Sequence, residues 1–317
     1  MRSALVSALA AGCLLSACGG TTTRSASLML DFTPNAAHAG IYSAVARGYD
    51  REAGIRLRVI PPPSPPDSIK LLEAGKVDFS VLDVHDLAIA DERGADVVGI
   101  AGIVERPLAA VIAQPKFHAP RNLEGTTVGV AGDPSDLAAV HSIVAGSGGN
   151  PKLVKTMDIG SGAVADLLSG RLGAATGFWN DEGVALAQRR PGFNVFRVDG
   201  YGAPSYPELV LCATRKTVSR DPNLARDVVR AVMRGYQLTV SNPAASAADL
   251  ERLVPGLDPT LIGASLDKLR PAFAGPNGHP GELDSSVLKS WAQWEVRFGI
   301  VSSAPDIATA FNTRFTR

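Results

Sequence analysis

The sequence predicts an α/β protein built as two lobes, and three observations predict it. Short apolar runs alternate with segments whose apolar residues recur every three or four positions, as strands alternating with helices do. About 290 residues follow Ala26, whereas one domain holds roughly 100–200. Lys plus Arg and Asp plus Glu number 31 each, and 45% of the residues are hydrophobic. That composition fits a compact body, and a formal net charge of zero argues against nucleic acid or a large polyanion as partner.

In chain order, Arg2 is followed by the apolar run Ala4–Leu15, too short to span a bilayer as a mature anchor. The run closes in Leu15-Ser16-Ala17-Cys18, similar to a bacterial lipobox, in which the cysteine is lipidated and becomes the first residue after cleavage. Residues 1–17 are therefore expected to be a lipoprotein signal peptide, Cys18 the lipid-bearing residue, and residues 18–26 a flexible Gly, Thr and Ser tether. The first strand is expected at Leu28–Phe32. Thr33 is placed to cap the next helix, and Pro34 suits its first position, where no N–H is needed. His38, Ile41, Tyr42, Val45 and Tyr49 then form one helical stripe.

Further strands are expected at Ile55–Ile60, Phe79–Leu82, Val97–Val104, Ala109–Ala113, Thr127–Val130, Leu153–Asp158, Ala174–Phe178, Val195–Val198 and Glu208–Ala213, with helical patterns between most of them. Such alternation implies parallel sheets. The run Pro61–Pro66 reads as a stiff extended connection. After Pro222 the pattern is mostly helical: Leu224–Tyr236 is amphipathic, and Trp291 and Trp294, three apart, are expected to pack as core.

Cys13 and Cys18 belong to the signal, so Cys212 is left in the body, inside the apolar run Leu209–Ala213, where it is expected to pack without a disulfide. No metal or cofactor is expected. His85 and Asp86 lack a metal-ligand spacing, and Gly129–Asp136 lacks the Gly-Lys-Ser/Thr ending of a phosphate loop. Gly-x-Ser-x-Gly and His-Glu-x-x-His are absent, so no catalytic residue is assigned.

The stretch Leu30-Asp31-Phe32-Thr33-Pro34-Asn35-Ala36-Ala37-His38-Ala39-Gly40-Ile41-Tyr42 resembles the opening signature of the NMT1/THI5-like family. The resemblance continues through Ala46-Arg47-Gly48-Tyr49, Leu72–Phe79 and Gly177-Phe178-Trp179-Asn180-Asp181-Glu182. That family includes bacterial substrate-binding proteins of ABC importers for thiamine pyrimidine precursors. The resemblance implies a two-lobed type II periplasmic-binding-protein fold with a central ligand cleft. Lobe I would be residues 27–113 and 208–317, lobe II residues 114–207, with crossings near Ala113–Pro115 and Tyr206–Glu208. It implies a monomer that takes a small-molecule ligand to an ABC permease. The family's eukaryotic branch synthesises the pyrimidine and carries a cysteine-rich run where this chain has Cys212 alone, which disfavours the enzyme. Riboflavin or another flat cofactor precursor is the rival ligand.

Open α/β sheets bind ligands beyond the carboxyl ends of their strands. The candidates therefore sit at strand ends. Phe32 offers a ring face and Asn35 a hydrogen-bonding amide. Tyr42 reads as helix core or cleft wall, His38 as a backbone-bonded histidine or a ligand contact, and the resemblance turns both to the cleft. Asp83 either caps the following helix or accepts from a ligand amine. Gly132 and Ser135 lie where a strand enters a helix, but Asp133 and Asp136 flank that turn and oppose an anion. No Lys or Arg lies there or between Leu28 and Ala46, which favours a neutral or weakly cationic ligand over nitrate or a sulfonate. Trp179 is a candidate stacking platform, with Asn180 and Glu182 beside it to read a heterocycle edge. Tyr206 and Glu208 adjoin the second crossing.

The lipobox makes the first prediction. In a bacterial host the wild-type chain should partition into detergent and incorporate labelled lipid, and Cys18→Ser should do neither. Equal labelling of the two would remove the anchor.

Overall fold

In the computed structural model, residues 23–63, 67–132, 135–275 and 277–316 are described. The signal peptide, Cys18, most of the tether, residues 64–66, Asp133 and Pro134 lie outside them. The strands are β1 Arg24–Met29, β2 Ile55–Ile60, β3 Phe79–Asp83, β4 Val97–Val104, β5 Ala109–Ala113, β6 Thr127–Val130, β7 Lys155–Asp158, β8 Ala174–Phe178, β9 Asn194–Arg197 and β10 Leu209–Thr214. The helices that shape the cleft and its support are α1 Ala39–Ala46, α2 Val84–Glu92, α3 Asp136–Gly146, α4 Glu182–Arg189, α5 Pro222–Ser241, α6 Pro259–Leu269 and α7 Ser285–Arg297. Among the described residues no helix is long and apolar enough to cross a membrane.

The strands form two sheets. One has the order β2-β1-β3-β10-β4 and the other β7-β6-β8-β5-β9. The sheets are mixed, not parallel as expected: β10 runs antiparallel to β3 and β4, and β5 antiparallel to β8 and β9. The reason is the chain path. β5 and β10 are the first strands after each crossing, and each enters its new sheet from the opposite lobe.

Two boundaries move. β5 pairs with β8 and β9, so the first crossing is at residues 105–108 and Ala109–Ala113 belongs to lobe II, not lobe I. The second crossing occupies residues 202–208. Arg24 pairs with Ile55, so the end of the expected tether is already strand. That strand stops at Met29, opposite Ile60, because Pro62, the next residue of the partner that would turn an N–H toward β1, has none. Leu30 adds one more bond, its N–H reaching the Ile60 carbonyl at 2.9 Å, and the chain then bends.

The helix start moves with it. Thr33 does not cap. Asn35 does, its side-chain oxygen accepting the Ala37 N–H at 2.8 Å over a 3-10 turn, Ala36–His38, that leads into α1. The C-terminal region covers lobe I as expected, with Trp291 and Trp294 of α7 buried and Cys212 buried in β10. Burial pushes the Cys212 thiol well up, which keeps it a packing group.

A close backbone contact joins α1 and α5. A Cβ on Gly235 would lie 1.9 Å from the Gly40 carbonyl oxygen, and one on Gly40 would lie 2.5 Å from the Tyr236 ring. Tyr236 is buried and its hydroxyl donates to the Ala37 carbonyl at 2.8 Å, so α5 fixes the turn that carries the first candidate residues. Because the clash is with backbone, it cannot be relieved by a rotamer change. Gly235→Ala should destabilise the protein by about 1–3 kcal/mol or more, read as a lower denaturant midpoint. An unchanged midpoint would show that the helices separate freely.

Candidate functional site

The loop after β1 brings an acid into the cleft. His38 is fully buried, and its Nδ1 accepts the Asn35 N–H at 3.1 Å. That leaves Nε2 as the ring's donor, and it meets Asp31 Oδ1 at 2.8 Å. His38 is therefore a positioning residue with both nitrogens engaged, not an open ligand contact. Asp31, which it holds, escaped the sequence reading because the pair spans a turn and follows no period.

Two more acids adjoin it. Burial raises the Asp86 carboxyl pKa, the neighbouring His85 opposes that rise, and the Asp31 charge adds to it. Burial also raises Asp181, at the start of α4, while His38 lowers it. Asp86 is thus within electrostatic range of Asp31, and Asp181 within range of His38. Phe32 is 38% exposed beside them, a ring face open to solvent. Tyr42 is buried in the lobe I core, and burial pushes its hydroxyl up to about 12.

Several candidates from the sequence lie elsewhere. Trp179 is 7% exposed, its indole N–H donates to the Pro107 carbonyl at 2.8 Å, and the Arg197 guanidinium covers its ring at 4.2 Å. It packs the first crossing and is not an open stacking platform. Tyr206 is fully buried edge-on to His85, with ring centroids 5.1 Å apart, and is a core residue, not a cleft ring. The Gly132 N–H is taken by Asp136 Oδ2 at 2.9 Å and is unavailable to an anion. Ser135 is half-buried, with no side-chain bond to the start of α3.

Glu208 and Asp83 belong to the hinge. Glu208 is buried, and its Oε2 accepts the Leu108 N–H at 2.7 Å. Asp83 caps α2, accepting the His85 N–H at 2.7 Å. Asp83, His85 and Glu208 could each offer one metal-ligating atom within 4.8 Å of the others. However, His85 already uses both nitrogens. Nδ1 pairs with Glu295 and Nε2 meets the Tyr206 hydroxyl at 3.3 Å. Burial disfavours the His85 cation, but Glu295, Asp83 and Glu208 together push its pKa up to about 10. The group therefore reads as an ion-pair cluster and not as a metal centre.

Between the lobes lies a cavity of about 170 Å³. Its walls are Thr33–Ala36 from the β1 loop, Asn180 and Asp181 from the start of α4, and Leu257, Asp258, Leu261, Ile262 and Ser265 on and just before α6. No lining residue is Lys or Arg. Asn35 and Asn180 are the two sequence candidates brought together here. α6 was missed, although Asp258, Leu261, Ile262 and Ser265 follow the three- and four-residue spacing of one helix face.

A family model described as NMT1/THI5 like matches residues 35–246. The chain belongs to the NMT1/THI5-like family. A family relative from Halalkalibacterium halodurans, a formylaminopyrimidine-binding protein, is 31% identical over 278 residues, 84% of this chain and 83% of the relative. A 4-amino-5-hydroxymethyl-2-methylpyrimidine phosphate synthase from Legionella pneumophila is 24% identical over 302 residues, 91% of each chain. Among solved structures, the periplasmic aliphatic sulphonate binding protein SsuA from Escherichia coli aligns with a TM-score of 0.71 at 16% identity, over 90% of this chain and 91% of that one. That likeness shows the fold, a two-lobed type II periplasmic-binding-protein fold.

Glu182 yields a pH prediction. Its Oε2 accepts the Phe178 N–H at 2.8 Å, fixing the start of α4. Burial, then the Asp181 charge, raise its pKa to about 6 from an ordinary 4.5. The folded state thus holds this proton more tightly than the unfolded chain. The associated stability is complete below pH 4.5 and is lost as the pH rises through about 6, by about 2 kcal/mol at most. Glu182→Gln keeps an acceptor without the charge. It should flatten the melting profile across this window and melt no lower than wild type at neutral pH. An unchanged profile would place the titration elsewhere.

Proposed function

We propose that this chain is the solute-binding component of an ABC importer and binds a small, planar, single-ring nitrogen heterocycle, a thiamine pyrimidine precursor of the formylamino- or hydroxymethyl-pyrimidine type. The observation that carries the reading is the interlobe cavity. At about 170 Å³ it is close to the roughly 150 Å³ that accommodates benzene in an engineered protein cavity. Three fused rings of the riboflavin kind would exceed it. Its polar lining is amide, hydroxyl and carboxylate, with no cation to hold a sulfonate or nitrate.

The mechanism is capture and release. Asn180 reads the ring edge from lobe II, opposite the β1 loop of lobe I, and closure about residues 105–108 and 202–208 excludes water. The Asp31–His38 pair keeps the site electronegative, which favours a ligand rich in N–H donors. No bond is made or broken, so the chain acts as a binding protein and not as an enzyme. The relative named for binding is also more identical to it than the synthase. A lipid on Cys18 would hold the monomer at the membrane beside its permease.

Thermal shift of the body beginning after Cys18 tests this. A precursor pyrimidine at 100 times its dissociation constant should add about 2.7 kcal/mol of stability, with riboflavin and alkylsulfonates leaving the melt unchanged. A shift with a sulfonate and none with any pyrimidine would overturn the reading.

A further inference from the structure

Beyond the strand ends, α6 supplies part of the cavity wall. Two residues that line the cavity each carry a buried side-chain oxygen without a hydrogen-bond partner in the protein: Asn180 Oδ1 and Ser265 Oγ. Both residues are 2% exposed. They come from opposite lobes, Asn180 from the start of α4 and Ser265 from α6. Buried acceptors without donors cost stability, and natural structures leave few of them. Around these two the wall is apolar, with Ala36, Leu261 and Ile262.

The two helices also touch directly. Gln188 Nε2 of α4 donates to the Thr260 carbonyl of α6 at 3.2 Å, so the lobes are already joined at one edge of the cavity. The cavity itself is the remaining gap in that seam.

We propose that Asn180 and Ser265 form a specificity pair that reads a primary amino group on the ligand, one N–H to each oxygen, so that the ligand completes the seam between α4 and α6. The inference rests on the reading of this cleft as a heterocycle site. A primary amino group is the smallest unit that offers two donors from one atom. A methyl of similar size offers none and leaves both oxygens unpaired, the situation in which polar sites discriminate most strongly. Glu182 is not needed for this role, since its Oε2 is occupied by the Phe178 N–H.

Calorimetry tests it with a matched pair of probes: a methylpyrimidine bearing one exocyclic amino group, and its analogue with methyl in place of amino. Wild type should prefer the amino compound by about tenfold or more, the scale of one to two buried hydrogen bonds. Ser265→Ala should reduce that preference to about threefold or less, because the amino compound loses a partner and the methyl compound no longer leaves that oxygen unpaired. Asn180→Ala, made in the other lobe, should do the same, and a denaturant melt verifies that each variant folds. A wild-type preference that survives Ser265→Ala overturns the pair. Equal wild-type affinity for the two probes also overturns it while leaving the binding function in place. Failure of wild type to bind either probe overturns both.

Discussion

The geometry of the cleft depends on one buried carboxylate at the double crossing. Glu208 closes the second crossing, and its Oε2 takes the Leu108 N–H of the first. Its own N–H donates to the Val104 carbonyl at 2.8 Å, and its carbonyl accepts the Val84 N–H at 2.9 Å. One residue thus ties the end of β4, the entry to β5 and the start of α2. The side-chain bond joins the two connecting segments to each other, so they bend as a unit. Removing such a buried acceptor would leave the Leu108 N–H unsatisfied, a cost of about 1–3 kcal/mol located at the pivot. Trp179 reinforces the same place, because its indole and backbone N–H groups donate to the Pro107 and Leu108 carbonyls. Both were read from sequence as ligand contacts. In the fold they set how the two halves of the ligand site meet.

That displacement shows what was legible in the sequence. The strands were, because each is an apolar run ended by turn chemistry, and β2, β4, β5, β6 and β8 begin and end where their patterns do. Strand direction was not, since an alternating apolar run reads the same in a parallel or antiparallel ladder. β5 and β10 therefore passed as ordinary parallel strands, and β5 was placed in the wrong lobe. Aromatic residues were ambiguous for a similar reason. Tyr206 and Trp179 satisfy their polar atoms inside the protein, through His85 and Pro107, and no local pattern reveals a partner more than 70 positions away. Asn35 and Asn180 were legible because the motif places both at strand ends. Ser265 was not, because its distinguishing property is the lack of a partner, which exists only in the folded chain.

The fold does not choose the ligand. The same two-lobed architecture occurs in a sulphonate binding protein at 16% identity, so the selection must reside in side chains at the strand ends. Here those side chains are acids. Asp31 is held in place by His38, and Asp86 and Asp181 lie within electrostatic range of that pair. An anion entering this cleft would be desolvated against like charge with no cation to compensate. A neutral ring meets no such repulsion. On the reading proposed above, the acids act first by exclusion, and the amide and hydroxyl groups discriminate among what remains.

Two unpaired oxygens, one from each lobe, also bear on how closure is driven. A buried oxygen left without a partner costs about 1–3 kcal/mol. In the open form both can reach water, and the penalty vanishes. A ligand that satisfies them removes the penalty in the closed form alone. A ligand can shift the two forms only by its differential affinity for them, and these contacts would supply it. A ring of the same size without donors would fill the cavity but leave the penalty in place, and the lobes would stay open around it. Selectivity and closure on that account are one property, because the atoms that identify the ligand are the atoms that oppose closure without it.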